Sequence, residues 1–155
     1  MSTHAPALVY RPLTSFDFTA ASAIFDAVFP AKYHLEFLDA WKLRDSNLSL
    51  GAFAEEGSGS LCGFILVCIK EGGYHIEFLG VDPTAQKGGL GTVLLRRILD
   101  VCMQRRSRAT LIPVNDQRII QWYKKHGFTE KGGPVVSPYT GDIEQVMEFG
   151  GCVVA

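Results

Sequence analysis

The chain has 155 residues, 47% apolar and 20% charged, with a formal net charge of −1. That is the composition of one globular domain, large enough to fold around its own core without disulfides or metal. The near-neutral charge offers no broad positive field for nucleic acid or an anionic membrane surface, and no apolar run approaches the ~20 residues of a spanning helix.

Residues 1–6 lack the basic and apolar segments of a signal peptide and are expected to be a flexible N-terminus. A short apolar strand is expected over 8–13. Thr14, Ser15 and Asp17 then mark a helix start, because a hydroxyl can cap free N–H groups and an early carboxylate suits the helix dipole. Phe18, Ala21, Phe25 and Val28 recur at helical spacing until Pro30 stops the run. A second helix is expected over 32–44, with Leu38 and Trp41 inward. Strands follow over 48–54, 61–69 and 74–81, separated by turns at Gly57-Ser58-Gly59-Ser60 and Gly72-Gly73. In the third, Tyr74, Ile76 and Phe78 alternate with His75 and Glu77, which predicts two opposite faces. Three hairpin-linked strands predict an antiparallel core.

Helical periodicity returns with Leu90, Leu94, Leu95, Ile98, Leu99 and Cys102 on one face and Arg96, Arg97, Asp100 and Gln104 on the other. A buried strand over 109–114 precedes a helix over 116–126, in which Ile119, Ile120 and Tyr123 are spaced for burial. Gly127 is placed to end that helix. A strand from Phe128, a loop through Pro134 and Pro138, and a strand over 143–149 complete the order β-α-α-β-β-β-α-β-α-β-β. This reads as a single mixed α/β domain over residues 1–155. Cys62, Cys68, Cys102 and Cys152 show no CxxC or CxxH spacing. They read as small buried hydrophobes in a reducing, cytoplasmic setting, and no metal is expected.

The informative segment opens the long helix: Gln86-Lys87-Gly88-Gly89-Leu90-Gly91. Glycines let a backbone approach a ligand closely, and the first N–H groups of a helix are unpaired and electropositive, so the pair forms an anion site suited to pyrophosphate. A P-loop would need Gly-Lys-Ser/Thr, but Thr92 follows Gly91 directly. A dinucleotide loop would need GxGxxG in a parallel βαβ unit, and Gly89-Leu90-Gly91-Thr92-Val93-Leu94 lacks the last glycine. The segment instead resembles the acetyl-CoA signature of the GNAT superfamily of N-acetyltransferases, Gln/Arg-x-x-Gly-x-Gly/Ala, with Gln86, Gly89 and Gly91 in register. The element order and the later Tyr123…Gly127-Phe128 extend the resemblance over almost the whole chain. Gly88 departs from it, since relatives often carry a basic or polar residue there.

The resemblance implies a central, mostly antiparallel twisted sheet of about seven strands flanked by four helices. It also implies direct acetyl transfer from acetyl-CoA to an amine. The backbone of Leu79, Gly80 and Val81 would pair with pantetheine. The N–H groups of Lys87, Gly88, Gly89, Leu90, Gly91 and Thr92 would hold the pyrophosphate. Either Asn115 or Asp116 would contact CoA. Tyr123 is the candidate acid near the CoA sulfur; the alternative is a core tyrosine. His75 is the candidate base, because histidine titrates near neutrality, with Glu77 to support or replace it; the alternative is an ordinary polar strand face. Trp122 reads as packing, and Arg105, Arg106 and Arg108 as a solvated helix end rather than a phosphate site.

Phe29-Pro30-Ala31-Lys32-Tyr33 resembles the Phe-Pro-x-x-Tyr segment of N-terminal protein acetyltransferases. That likeness makes Phe29, Pro30 and Tyr33, with Tyr139 before the last strand, candidates for gripping a peptide N-terminus. Some of those enzymes pair a strand-four tyrosine with a strand-five histidine, whereas this chain has His75 and Leu111. A free α-amine also costs only about 1 kcal/mol to deprotonate at pH 7, against about 4.6 kcal/mol for lysine. Polyamines, aminoglycoside-like amines and lysine remain open as acceptors. A small-molecule acceptor would call for an acidic groove, for which Glu36 and Asp39 are not decisive. A non-catalytic acyl-CoA-binding module would keep the glycine loop without acid and base. The oligomeric state is left open.

Overall fold

The computed structural model describes residues 7–54 and 59–152; the expected flexible N-terminus, with Gly57 and Ser58 of the expected turn, lies outside the described residues. The strands are Leu8–Pro12 (β1), Leu50–Ala54 (β2), Leu61–Lys70 (β3), Gly73–Val81 (β4), Ala109–Leu111 (β5), Phe128–Glu130 (β6), Val135–Val136 (β7), Ile143–Glu144 (β8) and Met147–Phe149 (β9). The helices are Phe18–Val28 (α1), His34–Leu43 (α2), Leu90–Arg105 (α3) and Gln117–Lys125 (α4). Seven strands form one sheet in the spatial order β1-β2-β3-β4-β5-β9-β6, and β7 and β8 form a separate hairpin. Every sheet pair is antiparallel except β4–β5, for which α3 supplies the crossover that a parallel pair needs. The mixed α/β, mostly antiparallel sheet with four helices is therefore present.

The sheet carries a core on each face. On one, Leu94, Leu95, Ile98, Leu99 and Cys102 of α3 are fully buried, as their spacing predicts. On the other, α1 and α2 bring Phe25 and Phe37 against Phe64 and Phe78, with the Phe25 and Phe37 rings stacked at 4.4 Å. Each such side chain contributes about 1.5–3 kcal/mol of transfer free energy. In α2 Trp41 is buried as expected, while Leu38 is only half-buried and Phe37 and Ala40 complete the inward face. The segments Ser15–Asp17 and Ala31–Tyr33 are 3-10 turns leading into α1 and α2. The Asp17 carboxylate accepts the Thr14 N–H at 2.7 Å and pairs with Arg11 at 2.9 Å.

β4 departs from simple alternation. Leu66 lies opposite Phe78 and Val67 opposite Ile76, so Glu77 is an extra residue on β4. This bulge turns Ile76 into the α3 layer and Phe78 into the α1–α2 layer. The shared face expected for Tyr74, Ile76 and Phe78 therefore ends at Glu77. The strand expected over 143–149 also divides: β8 pairs with β7 outside the sheet, and only β9 enters it, between β5 and β6. In α4, Tyr123 is buried, but Ile120 is half-buried and Ile119 exposed. Gly127 ends α4 at φ +98, and a Cβ there would lie 2.9 Å from Phe149 Cε1, so both backbone and packing require glycine.

A Cβ on Gly80 would stand 2.9 Å from Phe64 Cε1 and 3.4 Å from Ile24 Cγ2, two groups with no room to yield. Gly80→Val should cost about 1–3 kcal/mol of stability by overpacking, read as a lower urea midpoint.

Candidate active site

The parallel pairing of β4 with β5 ends at Ile76–Leu111, while β4 continues to Val81. A cleft of about 780 Å³ opens where the two strands part, with Leu79 and Val81 on one side and Ile112, Pro113 and Val114 on the other. Strand character ends at Leu111 instead of at residue 114, which frees those three residues to form a wall.

At one end lies the start of α3. The Asp82 carboxylate accepts the Thr84 N–H at 2.9 Å and starts the 3-10 turn Pro83–Gly88. Gly89 adopts φ +71, a conformation that favours glycine. A Cβ on Gly88 or Gly89 would meet nothing within 4 Å, so the backbone there faces open space. The Val93 N–H to Gly89 carbonyl bond, 3.2 Å, begins the helix ladder, so the N–H groups of Leu90, Gly91 and Thr92 have no partner within α3. Gly89, Gly91 and Thr92 line the cleft. Leu90 points into the core and Gly80 toward Phe64, so only their backbones are placed to serve a ligand. The side chains of Gln86 and Lys87 lie outside the described residues. Asp116 lines the cleft and caps α4 through the Arg118 N–H at 2.8 Å, whereas Asn115 is exposed and is not part of the lining. Arg105 donates to the Tyr74 hydroxyl and Arg108 pairs with Glu148, both away from the cleft.

Midway, Tyr123 and His75 face the same cavity. Tyr123 is held edge-on by Trp122 at 5.0 Å and Phe128 at 5.7 Å. Burial pushes its phenol far above the ordinary range, so it stays protonated. His75 is 8% exposed, with Nδ1 2.9 Å from Thr110 Oγ1. Burial, with Lys70 nearby, lowers its pKa, while Glu77 opposes the shift, so the ring is neutral at pH 7. Glu77 pairs with Lys70 at 2.6 Å and its side chain is 10% exposed. Trp122 packs against the core as expected, with its ring against Tyr123 and His126, and one side of it also borders the cleft.

At the other end stand Phe29, Pro30, Tyr33 and Tyr139. Phe29 stacks on Phe25 at 5.3 Å and meets the Phe78 ring edge-on at 5.3 Å. The Tyr139 hydroxyl donates to Asp39 at 2.8 Å, and Lys32 pairs with Asp142 at 2.7 Å, so two ties cross the mouth from the α1–α2 region to the β7–β8 hairpin. Glu36 and Glu144 join this end. Sequence reasoning did not single out Glu144, and Glu36 carried weight only once the hairpin brought the two together. Burial, with Glu144 and Glu77 nearby, raises the Glu36 pKa to about 7, against the pull of Lys70. Burial, Asp142 and Glu77 raise that of Glu144, against the pull of Lys32. Among the described residues, no group of three or more His, Cys, Asp or Glu side chains is arranged to hold a metal ion.

A raised carboxyl pKa means that the folded state binds the proton more tightly than the unfolded chain. That stabilisation is present below pH 4.5 and is lost as pH rises through about 7. Glu36→Gln should therefore match the wild-type Tm at pH 4 and exceed it at pH 8, as thermal unfolding at the two pH values will show.

A family profile described as the acetyltransferase (GNAT) family matches residues 18–128, well over half of the chain. No curated protein matches in sequence. Several solved structures share the fold at low identity. Ard1 from Thermoplasma volcanium is 19% identical with a TM-score of 0.74, over 92% of this chain and 96% of that one. The ribosomal-protein-S18-alanine N-acetyltransferase from Escherichia coli is 18% identical with a TM-score of 0.70, over 92% and 93%. Arabidopsis thaliana Naa50, solved with the bisubstrate analogue CoA-Ac-MVNAL, is 19% identical with a TM-score of 0.67, over 91% and 97%. With the glycine-opened α3 and the parted β4 and β5 on one cleft, the profile match establishes that the chain belongs to the acetyltransferase (GNAT) family and is an N-acetyltransferase.

Proposed function

We propose that the cleft holds acetyl-CoA at its α3 end and acetylates an amine entering from the α1–α2 end, the α-amine of a peptide being the acceptor. The observation that carries this reading is continuity: one cavity joins Gly89 and Gly91, then Tyr123 and His75, then Phe29, Pro30, Tyr33 and Tyr139.

The residues present fit the cofactor. The amides opening α3 offer unpaired N–H groups and positive helix-end potential to a pyrophosphate, and the open space at Gly88 and Gly89 admits it closely. The β4 edge at Leu79, past the end of the β5 pairing, offers backbone groups to an amide-bearing chain. Acetyl-CoA, when bound, supplies an acetyl group activated as a thioester. Gln86 and Lys87 belong to the same proposed loop through their backbones, and Asp116 fits the CoA contact better than Asn115 because it lines the cleft.

His75 is the base in this reading. Its neutral ring, oriented through Nδ1 by Thr110, leaves Nε2 to take the proton of the attacking amine directly or through one water. Glu77, tied to Lys70, supports His75 rather than replacing it. Tyr123 is the acid: a phenol held protonated by burial, with no protein hydrogen-bond partner among the described residues, offers its O–H where a thiolate would depart. Acid and base on one cavity argue against a non-catalytic binding module. The peptide reading draws support from the Phe29-Pro30…Tyr33 wall and from similar structures named for a ribosomal-protein alanine acceptor and for a CoA–peptide analogue. The second reading, a small polycationic amine, is favoured by the carboxylates of Glu36, Asp39, Glu77 and Glu144 in the same cleft.

Acetyl-CoA at a hundred times its Kd should stabilise the fold by about 2.7 kcal/mol. Gly91→Glu should abolish that shift in thermal unfolding by placing bulk and negative charge among the α3 amides. Tyr123→Phe should lower kcat about a hundredfold with little change in the KM for acetyl-CoA, since a general acid acts mainly in the transition state; steady-state kinetics with both substrates varied will separate the two parameters.

A further inference from the structure

Glu36, Asp39, Ala40 and Leu43 form the stripe of α2 that borders the cleft, spaced as one helix face. From that stripe the Asp39 carboxylate reaches across to the opposite wall and accepts the Tyr139 hydroxyl at 2.8 Å. Tyr139 is held at its other end as well. The Ser137 hydroxyl accepts its backbone N–H at 3.2 Å. The loop around it is closed by the Ser137 N–H to the Asp142 carbonyl, 2.8 Å, and the Gly141 N–H to the Ser137 carbonyl, 3.0 Å. The ring is thus fixed between the β7–β8 hairpin and α2, on the border of the cleft.

The bond to Asp39 decides what Tyr139 can offer a substrate. A phenol has one O–H to donate, and a carboxylate only accepts. The hydrogen bond to Asp39, then burial and the charges of Asp39, Glu36 and Glu77, push the phenol pKa up to about 12, so the proton stays on the oxygen at neutral pH. With that proton committed to Asp39, Tyr139 Oη has only lone pairs left for the cleft.

We propose that Asp39 is a positioning residue that makes Tyr139 a pure hydrogen-bond acceptor, and that a peptide substrate meets it with the N–H of its first peptide bond. This rests on the peptide reading of the cleft. The reacting nitrogen is engaged with His75 and the acetyl group, so the first amide, about 3.5 Å further along the chain, is the next donor. A simple monoamine has no such second N–H.

The test compares two peptides that differ in that group alone: Met-Ala-Ala-Ala, and the same sequence with an ester in place of the first amide. The ester removes the N–H with little change in bulk. Thiol release gives kcat and KM for both with the wild type, Asp39→Ala, Tyr139→Phe and the double variant. The wild type should use the amide about fivefold better in kcat/KM. The difference should lie in KM, because the contact is made before and during attack alike. Either single variant should bring the ratio close to one. The double variant should be no worse than Tyr139→Phe, because Asp39 acts through the hydroxyl. Equal use of the two peptides by the wild type, a preference confined to kcat, a preference that survives in either single variant, or losses that add in full each overturn the proposal. Acetyl-CoA stabilisation is measured alongside. If Met-Ala-Ala-Ala is acetylated and its ester is used equally well, only this inference fails. If neither is acetylated while acetyl-CoA still stabilises the fold, the peptide reading fails and takes this inference with it.

Discussion

The structure depends on one constraint in β4. This strand serves both core layers and both neighbours, yet it stays paired with β5 only from Tyr74 to Ile76. Immediately afterwards Glu77 adds one residue against β3, and a bulge bends its strand and tightens the local twist. The two effects coincide at the point where the strands part. Without the parting there would be no cavity between Leu79 and Pro113, and without the bulge Phe78 would not reach the aromatic cluster that anchors α1 and α2. The glycine-opened helix and the α1–α2 wall meet the same space because both are packed on this strand.

The cleft has a consistent electrostatic character. Burial keeps Tyr123 protonated, His75 neutral and Glu36 partly protonated near pH 7. All three shifts favour uncharged forms, as a poorly hydrated space dictates. Its cost falls on stability: a carboxylate such as Glu36 weakens the fold at alkaline pH unless a cation joins it.

The mouth is lightly fastened by comparison. The Lys32–Asp142 pair is about half exposed on both sides, and such pairs contribute about 0–1 kcal/mol. The hairpin is set chiefly by its own turn, where the buried Ser137 hydroxyl accepts the N–H groups of Tyr139 and Thr140, each at 3.2 Å.

Much of the fold was legible in the sequence because local periodicity reports burial directly. The α3 face, Pro30, Gly127 and the antiparallel run from β2 to β4 follow from spacing and turn chemistry alone. The Gln86–Gly91 pattern likewise marks the glycine-opened start of α3. Three features were decided only in three dimensions. The bulge at Glu77 leaves no local signature, since an extra residue is defined against β3 and not within β4. The division of residues 143–149 between a hairpin and the sheet reflects competition between β7 and the β5–β6 gap as partners. The meeting of Glu36 with Glu144 joins elements from opposite ends of the chain, and their charge acquires meaning only once both are half-buried beside one another. Sequence thus determined the elements and the glycine-opened start of α3, because both are set by neighbours along the chain; tertiary structure decided the cleft and its charge, because both are set by neighbours across it.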